Sequence, residues 1–272
     1  EVLSEAKARA SSDPSNTDWQ RDLSVSFNKL GDVAVSAGKL DDARGFYDQA
    51  LAVAKALAGK DPSNTDWQRD LSVSFERLGN VAVSAGTLDD ARAFYDQDLA
   101  VAKALAGKDP PNTVWQRDLS ISFDRLGNVA VRAGKLDDAR GFYDQDLAVA
   151  KALVGKDPSN TVWQRDLSVS FDKLGDVVVR AGKLDDARAF YDQALAVHKA
   201  LAGKDPSNAG WQLDLCESLE NRSLVARTRA EKIQMLTEAS RIYDRLAQAG
   251  AFRGDSQFTQ LGKLLAKLIS AA

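Results

Sequence analysis

The sequence predicts an all-α protein, a solenoid of antiparallel helix hairpins with about twelve helices. Five tryptophans, Trp19, Trp67, Trp115, Trp163 and Trp211, stand 48 residues apart. The text around them recurs almost letter for letter: residues 13–60 and 61–108 differ at six of 48 positions, namely Asn28/Glu76, Lys29/Arg77, Asp32/Asn80, Lys39/Thr87, Gly45/Ala93 and Ala50/Asp98. Inside each unit the apolar residues fall three and four apart, and none alternate at period two, so strands and a propeller are excluded.

Residues 1–10 align with Gln49–Ala58, and 1–12 read as the end of a second helix from a preceding, truncated unit. The first full unit, 13–60, opens on Asp13-Pro14-Ser15-Asn16-Thr17, a helix breaker followed by capping residues, and Thr17 with Gln20 fits a capping box. Trp19, Leu23, Phe27, Leu30, Val33, Ala34 and Ala37 then mark one helix, closed by Gly38. Leu40, Ala43, Phe46, Tyr47, Ala50, Leu51, Ala54 and Leu57 mark a second, with Asp41 and Asp42 as N-cap and first-turn acids and Gly59 as its stop. The pattern repeats over 61–108, 109–156 and 157–204.

Residues 205–250 form a degenerate unit. Leu219 stands for the Phe, Ser223 for the Gly, and Thr228-x-x-Glu231 offers a new capping box. Gly250 and Gly254 precede a last amphipathic helix at about 255–270, so 251–272 reads as a C-terminal cap. A solenoid end needs such a cap to cover its last apolar face. The whole, 1–272, is read as one solenoid domain.

The motif Phe27-x-x-Leu30-Gly31 with Gly38, Ala43, Tyr47 and Ala50 resembles the tetratricopeptide repeat, a 34-residue helix–turn–helix. The same letters return at Phe75, Leu78, Gly79, Gly86, Ala91 and Tyr95, and again in the next two units. Ala34 stands where the family usually has an aromatic, and the Pro that ends its second helix is missing. The resemblance is therefore to a long-helix variant with a 48-residue period. It implies a right-handed superhelix whose first helices line a concave groove, and a function in binding other proteins.

The 28% charged content and net charge of -3 give no field that would hold nucleic acid or an acidic membrane. No apolar run approaches the roughly 20 residues needed to cross a bilayer. The single Cys216 rules out a disulfide framework and fits a reducing compartment. The chain opens at Glu1, as an excised or processed segment would, and the cytoplasm is its default location.

Catalytic and metal roles find no constellation, and no cofactor is expected. His198, the one histidine, replaces an alanine of the other units late in a second helix. Cys216 has no partner histidine nearby in sequence, no Cys/His spacing fits zinc, and Gly38 and Gly59 belong to turns rather than to a phosphate loop. The tryptophans read either as ligand-stacking anchors or as filler between a first helix and the preceding second helix. The second reading is preferred, because Trp19 shares a stripe with Leu23 and Leu30.

The candidate binding residues are those at which near-identical units disagree along one stripe of the first helix: Asn28, Glu76, Asp124 and Asp172; Asp32, Asn80, Asn128 and Asp176; Ser36, Ser84, Arg132 and Arg180. Arg21, Arg69, Arg117 and Arg165 lead into it. Offsets of four and eight put these on one face, roughly opposite the Trp–Leu stripe. A variable stripe over a constant core suits a binding groove, and neutral drift on a solvated face explains the same variation. Some families of this fold clamp a C-terminal carboxylate with Lys and Asn. Here Glu76, Asp124 and Asp172 are acids where that clamp needs cations, so chaperone-tail binding is not expected. The function expected is a scaffold, a module of a larger regulatory protein, holding a peptide, helix or partner domain. The alternative is end-to-end self-association of the repeats.

Overall fold

The computed structural model describes residues 2–271. The chain forms two compact units, 1–142 and 143–272, divided inside the seventh helix. The first holds α1 (Val2–Ser12), α2 (Thr17–Ser36), α3 (Leu40–Lys60), α4 (Thr65–Ser84), α5 (Leu88–Lys108), α6 (Thr113–Arg132) and the start of α7 (Leu136–Lys156). The second holds the remainder of α7, then α8 (Thr161–Arg180), α9 (Leu184–Lys204), α10 (Ala209–Ser223), α11 (Arg229–Gln248) and α12 (Ser256–Ala271). Among the described residues there are no strands. The fold is an all-α repeat solenoid in which α2 to α6 pack on their neighbours in sequence.

Helix ends follow local chemistry, with several departures from the sequence reading. The cap of each first helix is asparagine, not the threonine after it: Asn16 Oδ1 accepts the Trp19 amide at 3.0 Å, and Asn64 does the same for Asp66 and Trp67. Asparagine reaches its own second and third amides from an extended backbone, so the following threonine is free to be the first helical residue. Gln20 makes no capping box. Its Nε2 donates to the Ala10 carbonyl at 3.0 Å, tying α2 to the end of α1, and Gln68 and Gln116 repeat the tie. Gly38 does close α2, at φ +72, with the Lys39 amide returning to the Ala34 carbonyl. Gly59 does not close α3. The helix runs to Lys60 and stops at Asp61, whose carboxylate takes the Ser63 hydroxyl and amide. Those two bonds hold the Asp61 carboxyl below the usual carboxylate range, and Asp41 and Asp42 sit in the first turn after an uncapped Lys39.

The core of the first unit is built where a second helix meets the next first helix. Ala43, Tyr47 and Leu51 of α3 pack with Phe75, Leu78 and Val81 of α4, and Ala91, Tyr95 and Leu99 of α5 pack with Phe123, Leu126 and Val129 of α6. Within each hairpin a glycine admits the tyrosine ring. A Cβ on Gly79 would lie 2.3 Å from Tyr95 Cε1, and one on Gly31 2.2 Å from Tyr47 Cε1. In the second unit Gly175 stands in the same relation to Tyr191. Further on, Leu215, Cys216 and Leu219 of α10 meet Leu236, Ala239 and Ile242 of α11, and Phe258 and Leu265 of α12 close the cluster. Arg222 is buried here, bound to Asp192 of α9 and Glu231 of α11. The buried Cys216 thiol donates to the Ala239 carbonyl, and burial pushes it up to about 12, so it is a packing residue.

The tryptophans are not core residues. All five are half-buried, and none belongs to the buried set. Each is the third residue of its helix, beside the open loop, so the preceding helix covers only part of the indole. Trp67→Ala is therefore expected to destabilise by about 1–2 kcal/mol, below the 3–5 kcal/mol of a fully buried Trp. Urea denaturation followed by circular dichroism measures the difference.

Candidate functional site

Part of the variable stripe comes together. In the first unit Asp32 and Ser36 of α2 and Glu76, Asn80 and Ser84 of α4 line one cavity of about 380 Å³, with Val35, Tyr47, Arg77 and Val81 completing its walls. Ser36 and Ser84 are exposed, and each donates its hydroxyl to a carbonyl one turn back, at Asp32 and Asn80. They form the part of the wall most open to solvent. Val35, 41% exposed, adds an apolar spot.

Most of the other stripe residues already hold partners. The Tyr47 hydroxyl donates to Asp32 at 2.7 Å, Tyr95 to Asn80 at 2.7 Å, and in the second unit Tyr191 to Asp176 at 2.7 Å. Position 32 of the repeat thus needs a side-chain acceptor, which explains why it varies only between Asp and Asn. Burial and the Asp32 bond push the Tyr47 phenol up to about 12, so it stays a donor. Asp32 also takes Arg77, and Glu76 takes Arg125 at 2.7 Å. Asn128 donates to Asp124 at 2.8 Å, and Arg132 reaches the Val83 carbonyl at 3.4 Å. The Asn28 Oδ1 is buried without a hydrogen-bond partner.

Three of the arginines that lead into the stripe are paired with an acid of the next first helix while their side chains stay about half exposed. Arg21 makes a two-pronged pair with Asp70, at 2.5 and 3.2 Å, and Arg69 makes the same pair with Asp118. In the second unit Arg165 pairs with Asp214 at 2.6 and 2.9 Å, and Arg117, in the first unit, is half-buried. Hydrogen bonds to the aspartates raise Arg21, Arg69 and Arg165, keeping them charged. This ladder was readable in principle. Arg21-Asp22 recurs as a neighbouring pair at Arg69-Asp70, Arg117-Asp118 and Arg165-Asp166. Neighbours on a helix diverge by 100°, so the two cannot pair with each other, and partners in adjacent units were one of the options open.

In the second unit His198 is buried, its Nε2 3.1 Å from Asp172, so the odd histidine of the sequence supports a stripe acid. Arg180 is exposed. Partial desolvation pushes the carboxyls of Asp176, Glu217 and Glu220 up, and nearby acids add to it: Asp172 acts on Asp176, Asp214 and Asp172 on Glu217, and Asp176 and Glu217 on Glu220. Among the described residues no group of three or more His, Cys, Asp or Glu is arranged to hold a metal.

Family models described as tetratricopeptide repeat match residues 28–98, 121–160 and 169–208. The chain belongs to the tetratricopeptide-repeat family. Its fold is similar to that of BtubC (BKLC) from P. vanneervenii, with a TM-score of 0.68 at 20% identity over 92% of this chain and 89% of that one. A putative kinesin light chain from Podospora anserina with nearly identical TPR-like repeats gives 0.53 at 18%, over 81% and 94%. The apo form of RapI gives 0.55 at 9%, over 99% and 91%. These likenesses are of fold. No curated protein sequence matches the chain. A tetratricopeptide array is a protein-interaction scaffold, a class that is typically not enzymatic. Among the described residues no helix is long and apolar enough to cross a membrane.

Proposed function

We propose that this tetratricopeptide scaffold holds a peptide or helix of a partner protein against the first-helix face, as a module of a larger regulatory protein. The observation that supports this reading is the cavity between α2 and α4, where five residues of the variable stripe meet around an open wall of mixed polar and apolar character. Its side chains are held in place by Tyr47, Arg77 and Arg125, so little rotamer freedom is lost when a ligand settles there. Donors and acceptors of both signs suit a polar segment with a small apolar anchor over Val35. No metal or cofactor enters this reading, and neither nucleic acid nor a membrane is its partner.

The experiment is selection of binders from a displayed peptide library on the intact chain, followed by affinity measurement on blocked variants. Ser36→Arg and Ser84→Arg fill the cavity without touching the core and are expected to weaken binding about tenfold or more, roughly 1.4 kcal/mol. Ala104→Arg, on exposed α5 surface, is expected to leave it unchanged. Equal loss in all three, or in none, removes the groove from the account.

A further inference from the structure

The hairpin of α10 and α11 departs from the others along one side of its second helix. From residue 237 on, α11 follows the text of the earlier second helices four residues late, so Ala239 and Tyr243 stand for Ala43 and Tyr47. Burial agrees with that register, since Ala239 is as fully buried as Ala43, Ala91 and Ala187. Three positions then change together. Ile242 stands where the other units carry Phe46, Phe94, Phe142 and Phe190. Arg241 replaces a Gly or Ala, as at Gly45 and Ala93, and Arg245 replaces a Gln, as at Gln49 and Gln97.

A cleft of about 590 Å³ opens at this place. Its floor is Leu215 of α10 and Ile242 of α11, both buried, beside Gln212, whose amide is held by the Ala202 carbonyl. A second cavity of about 240 Å³ shares Gln212, Ile242 and Arg245 and adds Leu246 and Ala251, so the apolar lining continues. An isoleucine in the place of a phenyl ring leaves part of the seam between the two helices unfilled. α12 covers a different face of α11, where Phe258 stacks on Tyr243 with ring centres 4.4 Å apart, so the cleft belongs to the hairpin itself.

Glu238, Arg241, Asp244 and Arg245 stand around the floor. The two acids are common to all units, as at Asp42 and Asp48, and the two arginines are what this hairpin adds. Both arginines are exposed and lie one turn apart, and among the described residues neither side chain has an ion pair or hydrogen bond. Arg165, Arg188 and Arg222 of the same unit each hold an acid.

We propose that this cleft takes an acidic peptide of a partner protein through one bulky apolar side chain. A Phe or Leu of the peptide packs on Leu215 and Ile242, and carboxylates on either side of it meet Arg241 and Arg245. A guanidinium fork matches a carboxylate with two parallel bonds. The covered side chain supplies most of the attraction, and the arginines select the charge of what carries it. This surface is separate from the cavity between α2 and α4 and stands whether or not that cavity binds a peptide.

The probe is a labelled peptide with a central Phe flanked on both sides by Glu, titrated into the intact chain by fluorescence anisotropy. Saturable binding is expected, and exchanging the Phe for Ala or the Glu residues for Lys should weaken it about tenfold or more. Arg241→Glu combined with Arg245→Glu, at exposed positions, should leave the circular dichroism unchanged, release the Glu peptide and admit the Lys peptide instead. Ile242→Phe returns the ring of the other units and should block the peptide by filling the cleft. Ser36→Arg and Ser84→Arg should leave binding as it was, which separates this site from the groove. No saturable binding, binding that ignores the arginine pair, or equal loss with Ser84→Arg would overturn the proposal.

Discussion

Gly79→Ala lowers the stability of the chain by about 3 kcal/mol, and Gly107→Ala raises it by about 0.5–1 kcal/mol. Both glycines lie in helices, α4 and α5, where propensity alone favours alanine at each. The difference is the neighbour. A methyl on Gly107 meets nothing within 4 Å, while one on Gly79 would lie 2.3, 2.6 and 2.8 Å from Cε1, Cδ1 and Cζ of Tyr95. That ring is 2% exposed and its hydroxyl is bonded to Asn80, so it has nowhere to swing. The hairpin must open, and Tyr95 loses its acceptor in the groove wall as well. Thermal melts should place Gly79→Ala roughly 6–12 °C below the parent chain and Gly107→Ala a few degrees above it. Equal and small shifts would mean that the tyrosine is not wedged as described.

Asp98→Ala stabilises the chain at neutral pH and flattens its response to acid. Asp98 replaces Ala50 of the first unit yet is only 3% exposed, with its oxygens accepting the hydroxyls of Ser72 on α4 and Ser122 on α6. Burial pushes its carboxyl above the ordinary range, against the lowering effect of the two serines. A carboxyl raised in the folded state binds its proton more tightly there than in the unfolded chain. Its favourable contribution is thus complete below the ordinary carboxylate range and disappears as the pH climbs through the raised value. The parent chain should therefore gain stability relative to Asp98→Ala as pH falls from 7 towards 4. At pH 7 the variant should lead by about 1–2 kcal/mol, since it no longer buries a charge. Ser72 need not be stranded: its equivalent Ser24 donates to the Ala50 carbonyl, and Ser122 already reaches the Asp118 carbonyl. Urea titrations at pH 7 and pH 4.5 test both parts, and a gap that stays constant with pH would refute the assignment.

The hairpin period and the phase of each helix were legible because apolar spacing and near-exact repetition are local properties of the text. Part of the stripe was legible in place: Asp32, Ser36, Glu76, Asn80 and Ser84, picked by offset, line one cavity. Its internal bonding was not, because Tyr47 lies fifteen residues from Asp32 and the approach depends on how two helices cross. The same limit hid Asp98, which reads as an odd substitution until α4 and α6 are seen on either side of it. Burial of tryptophan was overestimated from its apolar stripe, since the stripe says which way a side chain faces and not how near the helix end is to water.

The hydroxyl of Tyr95 on Asn80, and of Tyr47 on Asp32, sets a limit on how this protein can diversify. One row of each hairpin must keep a side-chain acceptor, which confines it to a pair of nearly isosteric residues differing in charge. The row one turn further on, at Ser36/Ser84, carries no such obligation, since those hydroxyls bond only carbonyls of their own helix. Change in a lineage of such arrays would then collect along that open edge, with each duplicated hairpin inheriting the spine intact.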